Sequence, residues 1–319
     1  MPPVGVLIVD KPVGITSRKA VSEVGGLAGA ARSGHAGTLD PLATGVLVVC
    51  LGRATLLSSY LAGGTKVYLV TAILGMVTDS YDLDGAVVAQ CDASECRRED
   101  IKNAASAFVG TMEQLPPAYS AVKFQGRPLY HYARLGTEVE RKPRTVSVDS
   151  IDILSMGADE EGVKAGFRIT CGPGTYIRSL IHDIGDRLGC GATVSALRRV
   201  RSGDFDIDRA IPLERFSSGR FEVADALISM EAATAGFPSA TVVLEGELPV
   251  RQGKPLELSM LKGPPPDVNV YRVMSDGGSL LALYGPPRLE DGAEVMGRAV
   301  RVIRASTLEM GDDEASKTH

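Results

Sequence analysis

The feature that most constrains the fold is an apolar run at residues 46–51, "VLVVCL", which directly follows a glycine-rich loop. A short, continuous apolar run bounded by turn residues is typical of a buried strand. The loop itself, "GHAGTLDPLATG", contains one imidazole, His35, and one carboxylate, Asp40, among glycines and other small residues. The sequence therefore predicts a polar loop that leads straight into a buried strand.

Strand and helix patterns are mixed over the first 237 residues. The run "VGVLIVDK" predicts a strand that ends at Lys11-Pro12, and Thr16 or Ser17 can cap the helix that follows it. Further strands are indicated by "TKVYLVTAILGMVT", "VSVDSIDILSM" and "KAGFRITC". Helices are indicated by "ATLLSSYLAGG", "REDIKNAASAFVG" and "GTYIRSLIHDIGDRLG". The mixture predicts a fold of the α+β class.

The pattern changes after residue 237. Between residues 239 and 304, short strands are separated by glycine and proline turns, as in "LEGELPVRQGKPL" and "NVYRVMSDGGSLLALYG". Such spacing is typical of a small β-barrel. We therefore expect one domain over residues 1–237, a second over 238–305, and a polar, disordered tail over 306–319.

Composition limits the classes of protein to which the chain can belong. It is 44% hydrophobic and 23% charged, which is usual for globular proteins, and no apolar stretch approaches the roughly 18 residues of a membrane span. The five cysteines form no CxxC motif and no nearby Cys/His cluster, which predicts neither a disulfide framework nor a structural metal. We expect a soluble, cytoplasmic protein.

The net charge of −5 argues mildly against a nucleic-acid partner, but this average conceals two locally basic segments. Residues 119–145 carry six basic and two acidic side chains, and residues 170–201 carry five arginines and two aspartates. If the two segments converge, an acidic protein presents a basic face. The long insertion at 113–145 also contains aromatic residues that suit the binding of bases, which favours a binding loop over a disordered one. They are Tyr119, Phe124, Tyr130 and Tyr132.

Asp40 is open to two interpretations from its spacing. It can cap a turn before Pro41, or it can act chemically, because an ionised carboxylate can attack an anomeric carbon. No second carboxylate is obviously paired with it, which argues against ordinary glycoside hydrolysis. Arg178 is a candidate partner, since a guanidinium stays charged and binds carboxylates well, but a surface ion pair is the alternative.

Other candidates have simpler explanations beside the functional one. Tyr68 and Tyr176 can each be a core aromatic residue whose hydroxyl is hydrogen-bonded, or a residue of a binding pocket. The carboxylates of "DSYDLDG" have the wrong spacing for a calcium-binding loop. We expect those three residues, Asp79, Asp82 and Asp84, to form turns.

Five blocks of the sequence together form a specific signal, where each alone would be a moderate one. The blocks are "LIVDKPVGITS", "GHAGTLDPLATGVLVVCLGRAT", "KVYLVTAILGMVTDSYDLDG", "LPPAYSAVKFQGRPLYHYARLG" with "VERKPR", and "GTYIRSLIHDIGDRLGCGATVSALRRVRSGDF". They cover most of residues 5–206 and resemble, in the same order, those of the TruB family of tRNA pseudouridine synthases.

The resemblance implies both a fold and an activity. The fold is α+β, with a central mixed, mainly antiparallel sheet flanked by helices and a small C-terminal PUA-like β-barrel. The activity is the isomerisation of uridine to pseudouridine at position 55, in the T-arm loop of tRNA, with no cofactor and no metal. The partner is tRNA, and we expect a monomer that needs no other protein.

Two charged residues would form the centre of this site. By the resemblance, Asp40 is the catalytic aspartate and Arg178 is the residue that pairs with it. Tyr176, two residues before Arg178, matches a residue of the same pocket.

Three further residues match positions that hold the nucleotide. Tyr68 would stack on the target base, and Leu197 would form an apolar wall beside the uracil. His35 would help to hold the arrangement after the base has flipped out of the RNA stack.

The match has two weak points and leaves two alternatives open. Leu56 stands where family members commonly have a lysine, which removes one basic contact. The C-terminal region resembles a PUA domain only loosely.

The alternatives are a protein that binds or folds tRNA without catalysis, and a catalytic subunit directed by a guide RNA. The presence of Asp40, Tyr68 and Arg178 favours the enzyme, and the short C-terminal domain favours a stand-alone form.

Overall fold

A ten-stranded sheet forms the centre of the computed structural model, which describes residues 2–217, 221–263, 268–285, 288–290, 293–296 and 299–303. The predicted tail, 306–319, lies outside the described residues. Up to residue 212 the strands are β1 (Gly5–Lys11), β2 (Ser33–His35), β3 (Thr44–Leu51), β4 (Lys66–Leu74), β5 (Met76–Thr78), β6 (Val87–Gln90), β7 (Gly110–Gln114), β8 (Lys123–Phe124), β9 (Arg127–Pro128), β10 (Arg144–Asp159), β11 (Gly162–Cys171), β12 (Ala192–Ser202), β13 (Phe205–Asp206) and β14 (Ile211–Pro212).

The sheet is mixed and mainly antiparallel, as predicted. Its order is β14-β1-β3-β12-β4-β11-β10-β7, with β2 paired to β3 and β13 paired to β12. Two pairs are parallel, β1 with β14 and β3 with β12. The parallel contact between β3 and β12 brings the strand after the Asp40 loop next to a strand about 150 residues later, which joins two distant parts of the chain at one place in the sheet.

Helices flank this sheet. In chain order they are α1 (Ser17–Leu27), α2 (Ser58–Leu61), α3 (Arg98–Ser106), α4 (Leu129–Arg134), α5 (Ile177–Leu188), α6 (Leu213–Ser217), α7 (Val223–Ala226) and α8 (Met230–Ala233). Thr16 caps α1 by accepting a hydrogen bond from the Lys19 amide. The helix predicted at "ATLLSSYLAGG" is instead a 3₁₀ turn, Gly52–Leu57, followed by the four residues of α2.

Two apolar cores lie against the sheet. The larger one contains strand residues such as Leu47 and Val70, and the buried residues of α1, α3 and α5 pack onto it. The second contains Val6, Val46 and Val48 together with Leu57 of the 3₁₀ turn. Leu56, at the position where a lysine was expected, packs against this second core. Its apolar side chain therefore contributes to folding rather than to a surface contact.

The C-terminal region is β-rich, as predicted, and forms two small sheets around a core of its own that includes Val242, Tyr271 and Tyr284. Its elements are β15 (Ser239–Thr241), α9 (Leu244–Arg251), β16 (Leu256–Glu257), a 3₁₀ turn (Leu258–Met260), β17 (Tyr271–Met274), β18 (Leu280–Tyr284), β19 (Arg288–Glu290), β20 (Ala293–Met296) and β21 (Ala299–Val302). Leu280 and Leu283 also pack into the second core, so this region rests on the central sheet. Among the described residues, no helix has the length and apolarity needed to cross a membrane.

The insertion between β7 and β10 has regular structure. Strands β8 and β9 form a hairpin whose two turn residues, Gln125 and Gly126, both have positive φ angles, and α4 follows directly. The Phe124 and Tyr132 rings pack edge to face at 5.7 Å, which joins the hairpin to the helix. Tyr130 remains exposed, with the guanidinium of Arg134 above its ring.

Candidate active site

The loop between β2 and β3 carries Asp40, and residues from the start of the chain hold it in place. The Ser17 hydroxyl accepts a hydrogen bond from the Leu39 amide and donates one to the Leu39 carbonyl, both at 2.8 Å. The Gly14 amide donates to the Pro41 carbonyl, also at 2.8 Å. Asp40 is therefore fixed from both sides through its neighbours, while its own side chain remains 35% exposed.

Arg199 binds the backbone of the same loop from the interior of the protein. This side chain is only 1% exposed, and its guanidinium donates to the carbonyls of Gly37, Thr38 and Val46 at 3.0, 3.3 and 2.8 Å. The backbone of Arg199 also passes so close to Gly45 that a Cβ at position 45 would lie 2.2 Å from the Arg199 carbonyl oxygen. The loop and the strand after it are thus fitted around one buried arginine.

Arg178 is the centre of the site's polar contacts. It is the second residue of α5 and is 3% exposed. Its Nε donates to Asp40 Oδ2 at 2.8 Å. Its Nη1 donates to the Ser80 carbonyl at 2.7 Å and lies 3.3 Å from Asp82 Oδ2, and its Nη2 donates to the Tyr119 carbonyl at 2.9 Å. One guanidinium therefore joins four separate segments of the chain and presents Asp40 as the most accessible of its partners.

Asp82 is the second carboxylate of this cluster, and it is buried. Burial raises the pKa of Asp82, while the Ser80 hydroxyl and the Arg178 guanidinium act in the opposite direction. Its Oδ1 accepts from the Ser80 hydroxyl at 2.5 Å and from the Asp84 amide at 3.1 Å. Asp82 thus holds Arg178 and its own turn, and its side chain is only 6% exposed, which places it poorly to reach a substrate.

A further buried cation, Lys11, contacts the backbone of the Asp40 loop. The Lys11 side chain is fully buried, and its ammonium donates to the carbonyls of Pro12 and Ile15 at 2.8 Å each and to that of Pro41 at 3.4 Å. Burial lowers the pKa of Lys11 to about 8, although the negative charge of Asp40 raises it in part. Lys11 therefore places positive charge close to the loop that carries Asp40.

Two apolar walls lie near the charged centre. Tyr68 on β4 and Leu197 on β12 are both buried, at 8% and 6% exposure, and both belong to the core that also contains Leu39. Burial raises the pKa of Tyr68, so its phenol stays protonated, and both Arg199 and Asp40 are close enough to act on it. The site therefore offers a neutral aromatic ring next to its carboxylate.

A cleft of about 470 Å³ opens along the strands beside this wall. Leu197 lines it together with Leu42 and Thr44 from the end of the Asp40 loop, and Thr71 and Ser155 supply hydroxyl groups. Asp40 itself does not line this space. The cleft therefore adjoins the loop without containing its carboxylate.

Tyr176 lies near Asp40 and Arg178, and His35 lies on β2, the strand before the Asp40 loop. Tyr176 precedes α5, and Gln114 holds it with two hydrogen bonds, one from the Tyr176 amide and one to its carbonyl, at 2.8 and 3.0 Å. Burial raises the pKa of Tyr176. His35, on β2, has a pKa that burial lowers, and its buried Nδ1 has no hydrogen-bond partner within the described ranges. A neutral imidazole with an unused polar atom thus lies on the strand that leads to Asp40.

The structure brings the predicted residues together in two groups. Asp40 and Arg178 are in direct contact, and the alternative of a surface ion pair is wrong because Arg178 is buried. Tyr68 and Leu197 share one apolar core. The expectation that Asp40 caps a turn is also met in part, since the Ala43 amide donates to its backbone carbonyl at 3.1 Å.

Sequence reasoning missed three buried charges. Asp82 was expected to form only a turn, Arg199 was counted among surface cations, and Lys11 was read as a strand end. A signal for Arg199 was available, because it lies two residues after Leu197 on an alternating strand and so points to the same side of the sheet. For Asp82, the pattern contained no feature that separates it from Asp79 and Asp84.

The arrangement limits the possible chemistry. It provides one accessible carboxylate held by a buried guanidinium, a neutral aromatic ring and apolar walls, which suit a nucleophilic or proton-transfer step on an uncharged ring system. Hydrolysis by paired carboxylates is disfavoured because the neighbouring carboxylate, Asp82, is buried and committed to Arg178. Among the described residues, no group of three His, Cys, Asp or Glu side chains is placed to hold a metal ion.

Comparisons with known proteins point to one family. The family model described as TruB family pseudouridylate synthase, N-terminal domain, matches residues 26–177, and the model described as tRNA pseudouridylate synthase B, C-terminal domain, matches residues 178–232. Together they contain all six residues that the sequence resemblance singled out. They end before β15, so the two C-terminal sheets lie beyond them.

Named relatives cover most of the chain. The chain is 39% identical over 291 residues to the tRNA pseudouridine synthase B of Syntrophotalea carbinolica, which covers 90% of this chain and 94% of that protein. It is 44% identical over 239 residues to the tRNA pseudouridine synthase B of Bordetella pertussis, covering 74% and 96% respectively.

A solved structure supports the fold. The structure described as a Cbf5-Nop10-Gar1 complex aligns with a TM-score of 0.72 at 28% identity, over 94% of this chain and 84% of that one. On the combined evidence of sequence, fold and site, the chain belongs to the TruB family of pseudouridylate synthases.

Proposed function

We propose that this chain isomerises uridine to pseudouridine at position 55, in the T-arm loop of tRNA, and that Asp40 is its catalytic residue. Family membership supports the isomerisation and the tRNA substrate, since the named relatives are tRNA pseudouridine synthases. The observation that carries the role of Asp40 is its contact with Arg178, in which a buried guanidinium holds a partly exposed carboxylate at 2.8 Å.

We expect each step of the isomerisation to use a residue of this site. The target base must leave the RNA stack before its glycosidic carbon can be reached, and the Tyr68 ring replaces part of the lost stacking. Arg178 holds the Asp40 carboxylate in place, and Asp40 acts with it at the sugar while the N-glycosidic bond breaks. The detached uracil turns between Tyr68 and Leu197, and the new bond forms from C5 to the same sugar carbon. The C5 proton leaves, N1 gains a proton, and no oxidation or reduction occurs.

The surroundings of Asp40 suit an intramolecular transferase. A hydrolase needs a second group to activate water, whereas an isomerase returns the base that it has detached. Asp82 is buried and bound to Arg178, so Asp40 works without a second free carboxylate beside it. We assign His35, with its unpaired buried Nδ1, and Tyr176 to holding the flipped nucleotide in this pocket.

Two regions would bind the rest of the RNA. The insertion at 113–145 presents exposed cations and the exposed ring of Tyr130. The region at 238–305 is assigned as a PUA-like RNA-binding domain on its small sheets and its place after the catalytic domain, 1–237. A monomer that acts alone in the cytoplasm, without cofactor or metal, remains the prediction from the sequence.

The Asp40→Asn variant tests the catalytic assignment. It removes the charge but keeps the shape of the side chain, so tRNA binding should stay within about twofold of wild type, while isomerisation should fall by at least about 10³-fold. Tritium release from tRNA labelled at uridine C5 measures the isomerisation, and filter binding measures the affinity.

Asp208→Asn, at an exposed site, is the matched control and should react at the wild-type rate. Turnover by Asp40→Asn at the wild-type rate would remove Asp40 from the mechanism. Mapping the product by mass spectrometry tests position 55 separately, because a pseudouridine at another position would contradict the T-arm assignment alone.

The same assay separates the two alternatives. A protein that only binds or folds tRNA would release no tritium at all. A subunit directed by guide RNA would stay inactive on bare tRNA, and the neighbouring structures described as Cbf5 complexes make that comparison worthwhile. Activity of the purified chain on bare tRNA would exclude both.

A further inference from the structure

The turn at residues 80–82 makes two contacts with the Arg178 guanidinium, whereas Asp40 makes one. The Ser80 carbonyl and the Asp82 carboxylate both bind Nη1 of Arg178. Any shift of this turn would therefore move the guanidinium, and with it the carboxylate of Asp40. The question is what fixes the turn relative to α5, the helix that carries Arg178.

The middle residue of that turn has an uncommon backbone conformation. Tyr81 has a φ of +65°, in the left-handed region that favours glycine. The turn also has backbone support, since the Val194 amide donates to the Tyr81 carbonyl at 3.1 Å and the Tyr81 amide donates to the Thr78 carbonyl at 3.2 Å. A tyrosine at such a position is retained against its own conformational preference, which indicates that its ring has a task.

The ring of Tyr81 stacks on His182 of α5. The two ring centres are 3.8 Å apart, and the ring planes differ by 10°. His182 lies four residues after Arg178, so both side chains project from the same face of the helix. The imidazole is mostly buried, at 17% exposure, and its Nε2 lies 3.4 Å from Asp186 Oδ2 one turn further on. The turn thus contacts α5 twice, through Arg178 and through this stack.

We propose that Tyr81 and His182 are positioning residues for the isomerisation, acting through Arg178 on Asp40. The stack sets the distance between the turn and the helix, and that distance decides whether Nη1 can reach Ser80 and Asp82 while Nε reaches Asp40. This inference rests on the proposed role of Asp40. It differs from a purely structural role because it concerns the rate of the chemical step rather than the existence of the fold.

Three substitutions at position 81 separate the ring from the backbone. Tyr81→Phe keeps the ring, and the Tyr81 hydroxyl makes no hydrogen bond within the described part of the chain, so the rate of this variant should stay within about twofold of wild type. Tyr81→Ala removes the ring and should lower the single-turnover rate about tenfold or more, because small displacements of a catalytic group are costly. Tyr81→Gly also removes the ring but relieves the strain of the positive φ.

The glycine variant is the decisive one. We expect it to melt at a higher temperature than Tyr81→Ala and still to react as slowly, with tRNA affinity close to wild type in both. A wild-type rate for Tyr81→Gly would show that backbone strain alone matters and would overturn the proposal. A wild-type rate for Tyr81→Ala would also overturn it.

Substitutions at His182 ask the same question from the helix side. His182→Phe keeps a stacking ring and should keep most of the rate, whereas His182→Ala should lose as much as Tyr81→Ala. The double variant should be no slower than the slower single one, since both remove one interaction. This pair also serves if Tyr81→Ala does not fold. Full additivity of the two losses would contradict a shared role.

Phe221→Ala is the matched control for loss of an aromatic pair. Its partner, Phe216, lies 5.0 Å away on α6, away from the α5 contacts described above. It should lower the melting temperature and leave the single-turnover rate unchanged. A wild-type chain that does not modify tRNA would refute the proposed function itself, whereas an active wild type with an equally active Tyr81→Ala would refute only the positioning role.

Discussion

Gly45 lies so close to the Arg199 carbonyl oxygen that the backbone there restricts which residue position 45 can hold. It is the second residue of β3, has a φ of +97°, and faces the Arg199 backbone where β3 and β12 run parallel. A side chain there would meet the Arg199 carbonyl oxygen at 2.2 Å. Backbone cannot give way as a flexible side chain can, so Gly45 is required both for conformation and for space.

Substitution of this glycine should therefore be unusually costly. We expect Gly45→Ala to lower the free energy of unfolding by roughly 3 kcal/mol or more, since left-handed strain and a steric clash add. Gly278 has a φ of +81° and open space around it, so in Gly278→Ala strain alone should cost roughly 1–2 kcal/mol. Urea denaturation measures both, and equal losses would contradict the close contact with Arg199.

Lys11 offers a test through pH. Burial lowers its pKa from 10.5 to about 8, so between these two pH values the unfolded chain binds a proton that the folded chain has released. The stability of the wild type should therefore rise with pH in this window relative to Lys11→Met, which has no such proton. Lys66, whose pKa burial also lowers to about 8, titrates in both proteins and cancels.

The measurement is urea denaturation of both proteins across this pH range. We expect the difference between their free energies of unfolding to change steadily as the pH rises and to level off above 10.5. A constant difference would show that Lys11 titrates alike in the folded and unfolded chains, contrary to its full burial.

Among the elements, α5 both packs into the core and carries polar side chains of the candidate site. Its residues Leu180, Ile181 and Ile184 are buried, while Arg178 and His182 turn toward the segment at residues 80–82. The helix ends at Gly189, whose left-handed conformation terminates it. Because the apolar contacts fix the axis of the helix, its polar side chains are held in defined positions.

The start of α5 depends on Gln114 from β7. This buried amide both accepts from the Tyr176 backbone amide and donates to its carbonyl. Gln114→Ala should cost roughly 1–3 kcal/mol, because two buried backbone groups lose their partners. Gln90→Ala, at an exposed strand position, should change stability by at most about 0.5 kcal/mol. Thermal unfolding compares them, and a neutral Gln114→Ala would contradict this capping role.

Elements were more predictable from the sequence than their pairing. The apolar run at 46–51 and the helical period of α5 reflect local rules, and both elements are present. The parallel contact of β3 with β12 joins segments about 150 residues apart, and no local pattern carries that information. The 3₁₀ turn at Gly52–Leu57 was missed because its composition is also compatible with an α-helix.

The site residues that could be predicted from the sequence are those in the blocks that resemble the TruB family. Asp40 and Arg178 were expected to pair, and they do. Asp82 and Arg199 were missed because counts of charge contain no information about burial. Only the fold shows that an aspartate among turn residues and an arginine in a basic run are both interior groups.

At the scale of the whole molecule, burial divides the basic residues into two classes. Arg178 and Arg199 are inside and bind carbonyls and carboxylates of the protein itself. The expectation that the segment at 170–201 contributes all its arginines to a basic face is therefore wrong for these two. Exposed cations of the insertion, such as Lys123, Arg127 and Arg134, remain available to phosphates.

Binding of tRNA should accordingly weaken as salt rises. Each phosphate contact contributes roughly 0.7 to 0.9 to the slope of log affinity against log salt. Changing Lys123, Arg127 and Arg134 together to Gln should lower that slope, whereas Lys102→Gln, an exposed cation on α3, should leave it unchanged. Filter binding at several salt concentrations measures both, and identical slopes would exclude the insertion as the phosphate-binding surface.

The contacts of the Asp40 loop have a consequence for the order in which the chain is made. Asp40 leaves the ribosome early, but its ion-pair partner follows 138 residues later, and the link from Arg199 to Thr38 spans 161 residues. A nascent chain that has not yet reached residue 199 contains the Asp40 carboxylate without the arginine that binds the carbonyls of Gly37 and Thr38. Synthesis must therefore reach residue 199, near the end of β12, before all the contacts that hold the Asp40 loop can form.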